Sequence, residues 1–144
     1  MFSPKSGLMH FIFDANMPKR LAEGIGKLDQ QNISGVIKIV TSHADDLLGA
    51  SATDEEIIIK ASEIDAIILS EDDDFKRIKT NKALIKKLKV GYVLYKPPKH
   101  GSRYWEKTVA FILAWENLKT KIKAANKPFI FKINKSGEIT EELF

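Results

Sequence analysis

A mixed α/β fold with a central, mainly parallel sheet covered on both faces follows from three features of the chain. Short apolar runs alternate with stretches of helical periodicity. The runs are apolar almost throughout, as expected of strands buried on both sides. Glycine, proline and small polar residues separate the segments and supply the turns.

Taken in order, residues 1–6 read as a loose end and Leu8–Phe13 (LMHFIF) as the first strand, stopped by Asp14-Ala15-Asn16-Met17-Pro18. Pro18 suits a first helical turn, and Leu21, Ile25 and Leu28 follow at helical spacing, which predicts a helix to about Gln30. The Gly24-Ile25-Gly26 pair of glycines falls inside that helix rather than after a strand, so it is no phosphate loop. Val36–Val40 reads as the second strand and Thr41–Ala52 as a polar loop. Thr53, with Glu56 three residues on, is a capping box opening a helix that carries Ile57, Ile58, Ala61 and Ile64. Ala66–Leu69 is the third strand, and a short helix near Lys82–Lys89 leads to the fourth, Val90–Tyr95. Pro97-Pro98 breaks the chain. Tyr104–Ala125 reads as a long helix with Val109, Ile112, Leu113, Leu118 and Ile122 as its core-facing stripe. Phe129–Ile133 and a tail from Glu138 are joined through Asn134-Lys135-Ser136-Gly137, a hairpin signal. Strand and helix alternating in this way make one α/β domain over residues 1–144.

Composition narrows the chemistry. The length, 144 residues, is that of one domain on a prior of roughly 150 residues per domain. No apolar run approaches the roughly 18 residues of a membrane span, and no secretory leader is recognisable, so a cytoplasmic protein without membrane attachment is expected. The absence of cysteine excludes a disulfide framework, a thiolate nucleophile and thiolate-held zinc or iron–sulfur centres. The net charge of +4 conceals an asymmetry: residues 1–75 hold 6 Lys/Arg and 14 Asp/Glu, residues 76–144 hold 17 and 5. Either the helices carry different solvated faces, or clustered carboxylates hold a cation while the basic part holds a polyanion.

In parallel α/β sheets, ligands sit beyond the carboxyl ends of the strands, where strand order reverses. Asp14 follows the first strand, and Asp72 and Asp74 follow the third. If those strands are neighbours, three carboxylates share one edge, and Asp54 or Glu55 at the start of the middle helix could complete the ring. Carboxylates crowded together are costly unless a cation intervenes, and oxygen-only donors suit magnesium or manganese. Each acid also has a plain structural reading: Asp14 as a helix cap, Asp54–Glu56 as dipole partners of a helix start, Glu71–Asp74 as a solvated helix opening.

The segments Phe13-Asp14-Ala15-Asn16-Met17-Pro18, Thr53-Asp54-Glu55-Glu56-Ile57 and Ile68-Leu69-Ser70-Glu71-Asp72-Asp73-Asp74-Phe75 resemble, in order and spacing, the motifs of PIN-domain nucleases, and most of all the compact PIN-like branch that includes VapC-type toxins. Ala15 stands where the pattern usually has Glu, and Ser70 where it usually has Thr. The resemblance covers residues 8–75 and is compatible to about residue 140. It implies a three-layer α/β/α PIN-like fold with a C-terminal hairpin and a metal-dependent endoribonuclease. It implies Asp14, Asp54, Asp72 and Asp74 as catalytic metal ligands with Glu55 as the alternate to Asp54, Mg or Mn as cofactor, and Asn16 and Ser70 as orienting groups. It further implies a toxin–antitoxin pair, with an antitoxin protein as partner, and a homodimer.

In the basic half, Lys96, Lys99, His100 and Arg103 surround the Pro97-Pro98 turn after the fourth strand and are the expected contacts to an RNA backbone. Tyr104 beside them is a stacking candidate; Trp105 could also stack, but core packing on the long helix is its favoured reading. Among the histidines, His10 reads as structural and His43 as a possible support to the acidic site. The competing readings are a non-catalytic PIN-like module that binds RNA or protein, and a haloacid-dehalogenase-type phosphatase. The latter needs an acid where Asn16 stands.

Overall fold

The computed structural model describes residues 8–29, 38–71, 76–97 and 104–144. Among these, strands β1 (Leu8–Phe13), β2 (Lys38–His43), β3 (Ala66–Glu71), β4 (Gly91–Tyr95), β5 (Phe129–Ile133) and β6 (Ile139–Glu142) form one sheet in the order β2-β1-β3-β4-β5-β6. All neighbouring pairs are parallel except β5 with β6, the hairpin at Asn134–Gly137. Helices α1 (Lys19–Asp29), α2 (Ala44–Leu48), α3 (Asp54–Ile64), α4 (Lys76–Leu88) and α5 (Tyr104–Ala124) complete the described chain. None of them is long and apolar enough to cross a membrane.

Alternation along the strands divides the core in two. Met9, Phe11 and Phe13 of β1, with Leu69, Val93, Tyr95 and Phe131, pack under α1 (Leu21, Ile25) and α5 (Phe111, Trp115, Leu118, Ile122). The intervening residues Ile12, Ile68, Tyr92, Leu94 and Ile130 pack under α3 (Ile57, Ile58, Ala61) and α4 (Ile78, Ile85). Each such side chain, fully buried, contributes about 1.5–3 kcal/mol of transfer free energy. The result is the expected three-layer α/β/α arrangement.

Particular contacts set the helices on the sheet. Gly26 lets α1 approach β2 closely, because a Cβ there would lie 2.6 Å from Thr41 Oγ1, and that hydroxyl donates to the Ala22 carbonyl at 2.8 Å. At the end of α1, Asp29 Oδ2 accepts from Trp115 Nε1 at 2.8 Å and from Lys119 Nζ at 2.6 Å, tying α1 to α5. The capping box is formed as read: Thr53 Oγ1 accepts from Glu56 N–H, and the Glu56 carboxylate accepts from Thr53 N–H.

Four expectations need correction. The segment Thr41–Ala52 is a loop only over residues 49–52: Thr41–His43 finishes β2, and Ala44–Leu48 is helical. β2 is an edge strand, so its polar residues tolerate partial exposure. His43 Nδ1 accepts from Asp45 N–H to cap α2, whose first turn carries Asp45 and Asp46. α4 begins at Lys76 rather than near Lys82, its apolar side masked in sequence by a lysine-rich outer face. The stripe of α5 is rotated: Leu118 and Ile122 are buried together with Phe111, Ala114 and Trp115, whereas Val109, Ile112 and Leu113 face solvent. The N-terminal half of α5 is apolar around much of its circumference, so periodicity there does not choose a face; the aromatic rings do, with Phe111 meeting Phe13, Tyr95 and Trp115 at centroid distances of 5.2–6.1 Å. Trp105 accordingly lies outside the core, 72% exposed.

The charge asymmetry is partly spent inside the fold. Lys107–Glu71, Lys119–Asp29 and Lys127–Asp65 each pair a cation of the basic half with an acid of the acidic half.

Candidate functional site

From β1 the chain steps to β2 on one side and to β3 on the other, so strand order reverses between β1 and β3. That is the position at which open parallel sheets bind ligands. Asp14 and Ser70 stand there, each two residues beyond an isoleucine (Ile12, Ile68) on the α3/α4 face of the sheet. The two-residue period therefore directs both towards α3 and α4.

Asp14 is 2% exposed and Ser70 fully buried. Ser70 Oγ donates to Asp14 Oδ2 at 2.8 Å, and Ala15 N–H donates to Asp14 Oδ1 at 2.6 Å. The Asp14 N–H continues the ladder, donating to the Leu69 carbonyl at 2.8 Å. Hydrogen bonds of this kind stabilise a carboxylate held away from water.

Two further residues hold the turn that carries Asp14. Asn16 brackets the backbone of Glu71: its Nδ2 donates to the Glu71 carbonyl, and its Oδ1 accepts from the Glu71 N–H at 3.2 Å. The side chain thus imitates one more rung between β1 and β3. His43, 4% exposed, bonds the Met17 carbonyl through Nε2 at 2.7 Å. Because its Nδ1 accepts from Asp45 N–H, the network assigns the proton to Nε2 and a neutral ring. The Asp45 carboxylate, 3.8 Å from Nδ1, is then a neighbour rather than an ion-pair partner. His10, by contrast, meets Ser42 Oγ at 2.9 Å within the sheet, and burial holds its pKa below the usual imidazole range.

The start of α3 reaches the same edge. α3 ends at Ile64, just before the amino end of β3, so its first residue lies by the carboxyl ends of the strands; α4, which follows β3, also starts there. Of the adjacent pair, Asp54 is half-buried and accepts from Asn81 Nδ2 at 3.2 Å, while Glu55 is exposed. Asn81, only 7% exposed, escaped the sequence reading. A signal was present: Ile78, Ile85 and Leu88 make the inner stripe of α4, and a polar residue at 81 interrupts it.

On the opposite face of the edge, Glu71 pairs with Lys107 at 3.4 Å, and Tyr95 donates its hydroxyl to the Lys107 carbonyl at 2.8 Å. Burial, with the Glu71 charge in second place, pushes the Tyr95 phenol up to about 12. Met17, Pro18, Leu21 and Tyr104 join them around a void of about 20 Å³, room for one water and too small for a nucleobase.

Asp72, Asp74, Lys99, His100 and Arg103 lie outside the described residues. Lys96 is described: it is half-buried, and its N–H donates to the Ile133 carbonyl at 2.9 Å. Among the described residues no three acidic or histidine side chains are grouped closely enough to hold a metal ion. The donors that are present, the carboxylates of Asp14 and Asp54 and the hydroxyl of Ser70, are all hard oxygens. They fit magnesium or manganese and would not select a soft metal.

Fold and edge together define a doubly wound α/β domain with oxygen donors at its switch point. The PIN like domain family model matches residues 9–96, more than half of the chain, and the chain belongs to that family. The match spans β1 through β4, and with it every acidic segment of the candidate site. A PIN-like domain suggests a nuclease-type module, and the match is to the PIN-like family as a whole rather than to a named branch of it. No curated protein and no solved structure matches the chain.

Proposed function

We propose that this PIN-like domain is a magnesium- or manganese-dependent endoribonuclease, acting in the cytoplasm as the toxin of a toxin–antitoxin pair, as a homodimer and under the restraint of an antitoxin protein. The observation that carries the nuclease reading is the buried Asp14 carboxylate at the β1/β3 switch point, oriented by Ser70, with Asp54 presented from α3 at the same edge. Asp14 and Asp54 are the proposed ligands on the described chain, with Asp72 and Asp74 completing the set. A divalent ion held there supplies positive charge that acidifies water and offsets charge on a phosphate. The protein's own part is orientation. Ser70 and the Ala15 N–H hold the two oxygens of Asp14, and Asn16 fixes the end of β3 against the turn after β1. RNA backbone contacts fall to Lys96, Lys99, His100 and Arg103.

Manganese titration by calorimetry on the wild type and on Asp14→Asn, with RNA cleavage assayed in the same samples, tests this. Saturable binding and cleavage lost together in Asp14→Asn support the enzyme. Metal-dependent cleavage that survives in Asp14→Asn refutes the site. A wild type that binds RNA but neither metal nor cuts is a PIN-like binding module instead.

A further inference from the structure

We infer that Asn81 is a positioning residue of the site: its side-chain amide holds the Asp54 carboxylate in the orientation in which it serves as a ligand. This role rests on the metal-holding reading of Asp54.

The argument starts from what Asn81 costs. It sits in the second turn of α4 and is 7% exposed, on the stripe shared by Ile78, Ile85 and Leu88 that packs towards α3 and the sheet. Asparagine is a poor helix former, and its amide must be desolvated there. An aliphatic residue would suit both the helix and the interface better. Local rules broken in this way, with a compensating polar contact, are characteristic of functional sites. The compensating contact is Asn81 Nδ2 to Asp54 Oδ2, 3.2 Å, across the α3–α4 interface.

The geometry gives that contact a purpose that helix capping does not. The N-terminus of α3 is already capped by Thr53 and Glu56, so Asp54 is not required as its cap. Asp54 is the first residue of α3, next to a loop, and its side chain is half-exposed. A donor from a neighbouring helix holds one of its two oxygens. Asn81 can donate but carries no charge, so it orients the carboxylate without neutralising it, as a lysine would. Groups that orient a ligand in this manner change metal affinity by about 10–100-fold when removed.

The experiment combines Asn81→Leu, Asp54→Asn and the double variant. Manganese affinity is read by calorimetry, the melting temperature by circular dichroism, and the Asn81 side-chain amide by nuclear magnetic resonance in the metal-free wild type and Asp54→Asn. Asn81→Leu is expected to weaken Mn²⁺ binding about tenfold or more while its melting temperature stays level or rises. In the Asp54→Asn background the same change should weaken binding by less than about twofold, because the group it acts through is gone. Wild-type affinity in Asn81→Leu, or an equal loss in both backgrounds, would overturn the role. The amide resonance separates this failure from failure of the metal reading. An Asn81 amide that does not move in Asp54→Asn overturns the positioning; a moved amide in a protein that binds no Mn²⁺ upholds the contact and overturns the metal reading alone.

Discussion

Lysine 119 offers a sharp test of how this fold distributes electrostatic energy. Its ammonium lies 2.6 Å from Asp29 Oδ2, with side-chain exposures of 12% and 6%, and the indole N–H of Trp115 donates to the same oxygen. Lys119→Met keeps most of the aliphatic stem but leaves the carboxylate with its indole donor and no cation. Breaking a buried pair from one side costs about 3–5 kcal/mol, and the remaining indole bond argues for the lower end, about 3 kcal/mol. At roughly 3 °C per kcal/mol for a domain of this size, the melting temperature should fall by about 9 °C. Asp29→Asn/Lys119→Met removes both charges while keeping an acceptor for the indole, and should return to within about 1.5 kcal/mol of wild type. The coupling is measured by urea unfolding of the four members of the cycle at matched m-values, at low salt and in 0.5 M salt, a concentration of order that screens exposed pairs within a few ångströms. Lys19–Asp46, 3.1 Å apart but exposed at 48% and 66%, is the control, expected to contribute little and to fade with salt. A Lys119→Met cost below about 1 kcal/mol, or a coupling abolished by salt, would refute the claim that burial rather than distance sets the strength of these pairs.

Two other perturbations follow from geometry already described. The Tyr95 phenol is raised from its ordinary 10.0 to about 12, so its contribution to stability is fully present below pH 10.0 and lost as pH climbs towards about 12. Tyr95→Phe should remove that component of the alkaline decline, and about 1 kcal/mol at neutral pH with the bond to the Lys107 carbonyl; an unchanged alkaline profile by denaturant titration contradicts it. In Gly91→Ala the new methyl would sit 2.5 Å from Phe129 Cζ, in a core where that ring also packs on Phe131 at 4.8 Å. A loss of about 1–3 kcal/mol is expected in chemical unfolding, and a neutral or stabilised variant would show that Phe129 has room to retreat.

What could be read from the sequence depended on how much burial simplified it. β1, β3 and β4 lie inside the sheet and are apolar nearly end to end, so their runs announce them, and the family match spans the same residues. The edge of the sheet was harder to read. Thr41, Ser42 and His43 extend β2 with residues that resemble a loop, because one side of an edge strand need not be apolar. α5 failed differently: apolar residues on several faces left its orientation to the fit of Phe111 and Trp115 against the sheet, which periodicity does not encode. At the site, Asp14 was legible because strand ends at a switch point are where such residues belong, and Ser70 only through its likeness to the family motif. Whether Asp54 or Glu55 turns inward was not, since that depends on Asn81, a partner 27 residues along the chain on another helix.

The pairing of Asp14 with Ser70 spans 56 residues, and Asn16 reaches Glu71 across 55. Both bonds need β3, which leaves the ribosome after β1 and β2. At about 5–20 residues per second, the interval between synthesis of the two ends is about 3–11 s. Throughout it the nascent chain holds Asp14 and the strands on one side of it, but not the strand that completes the edge. A site assembled in this order cannot form until β3 has been synthesised.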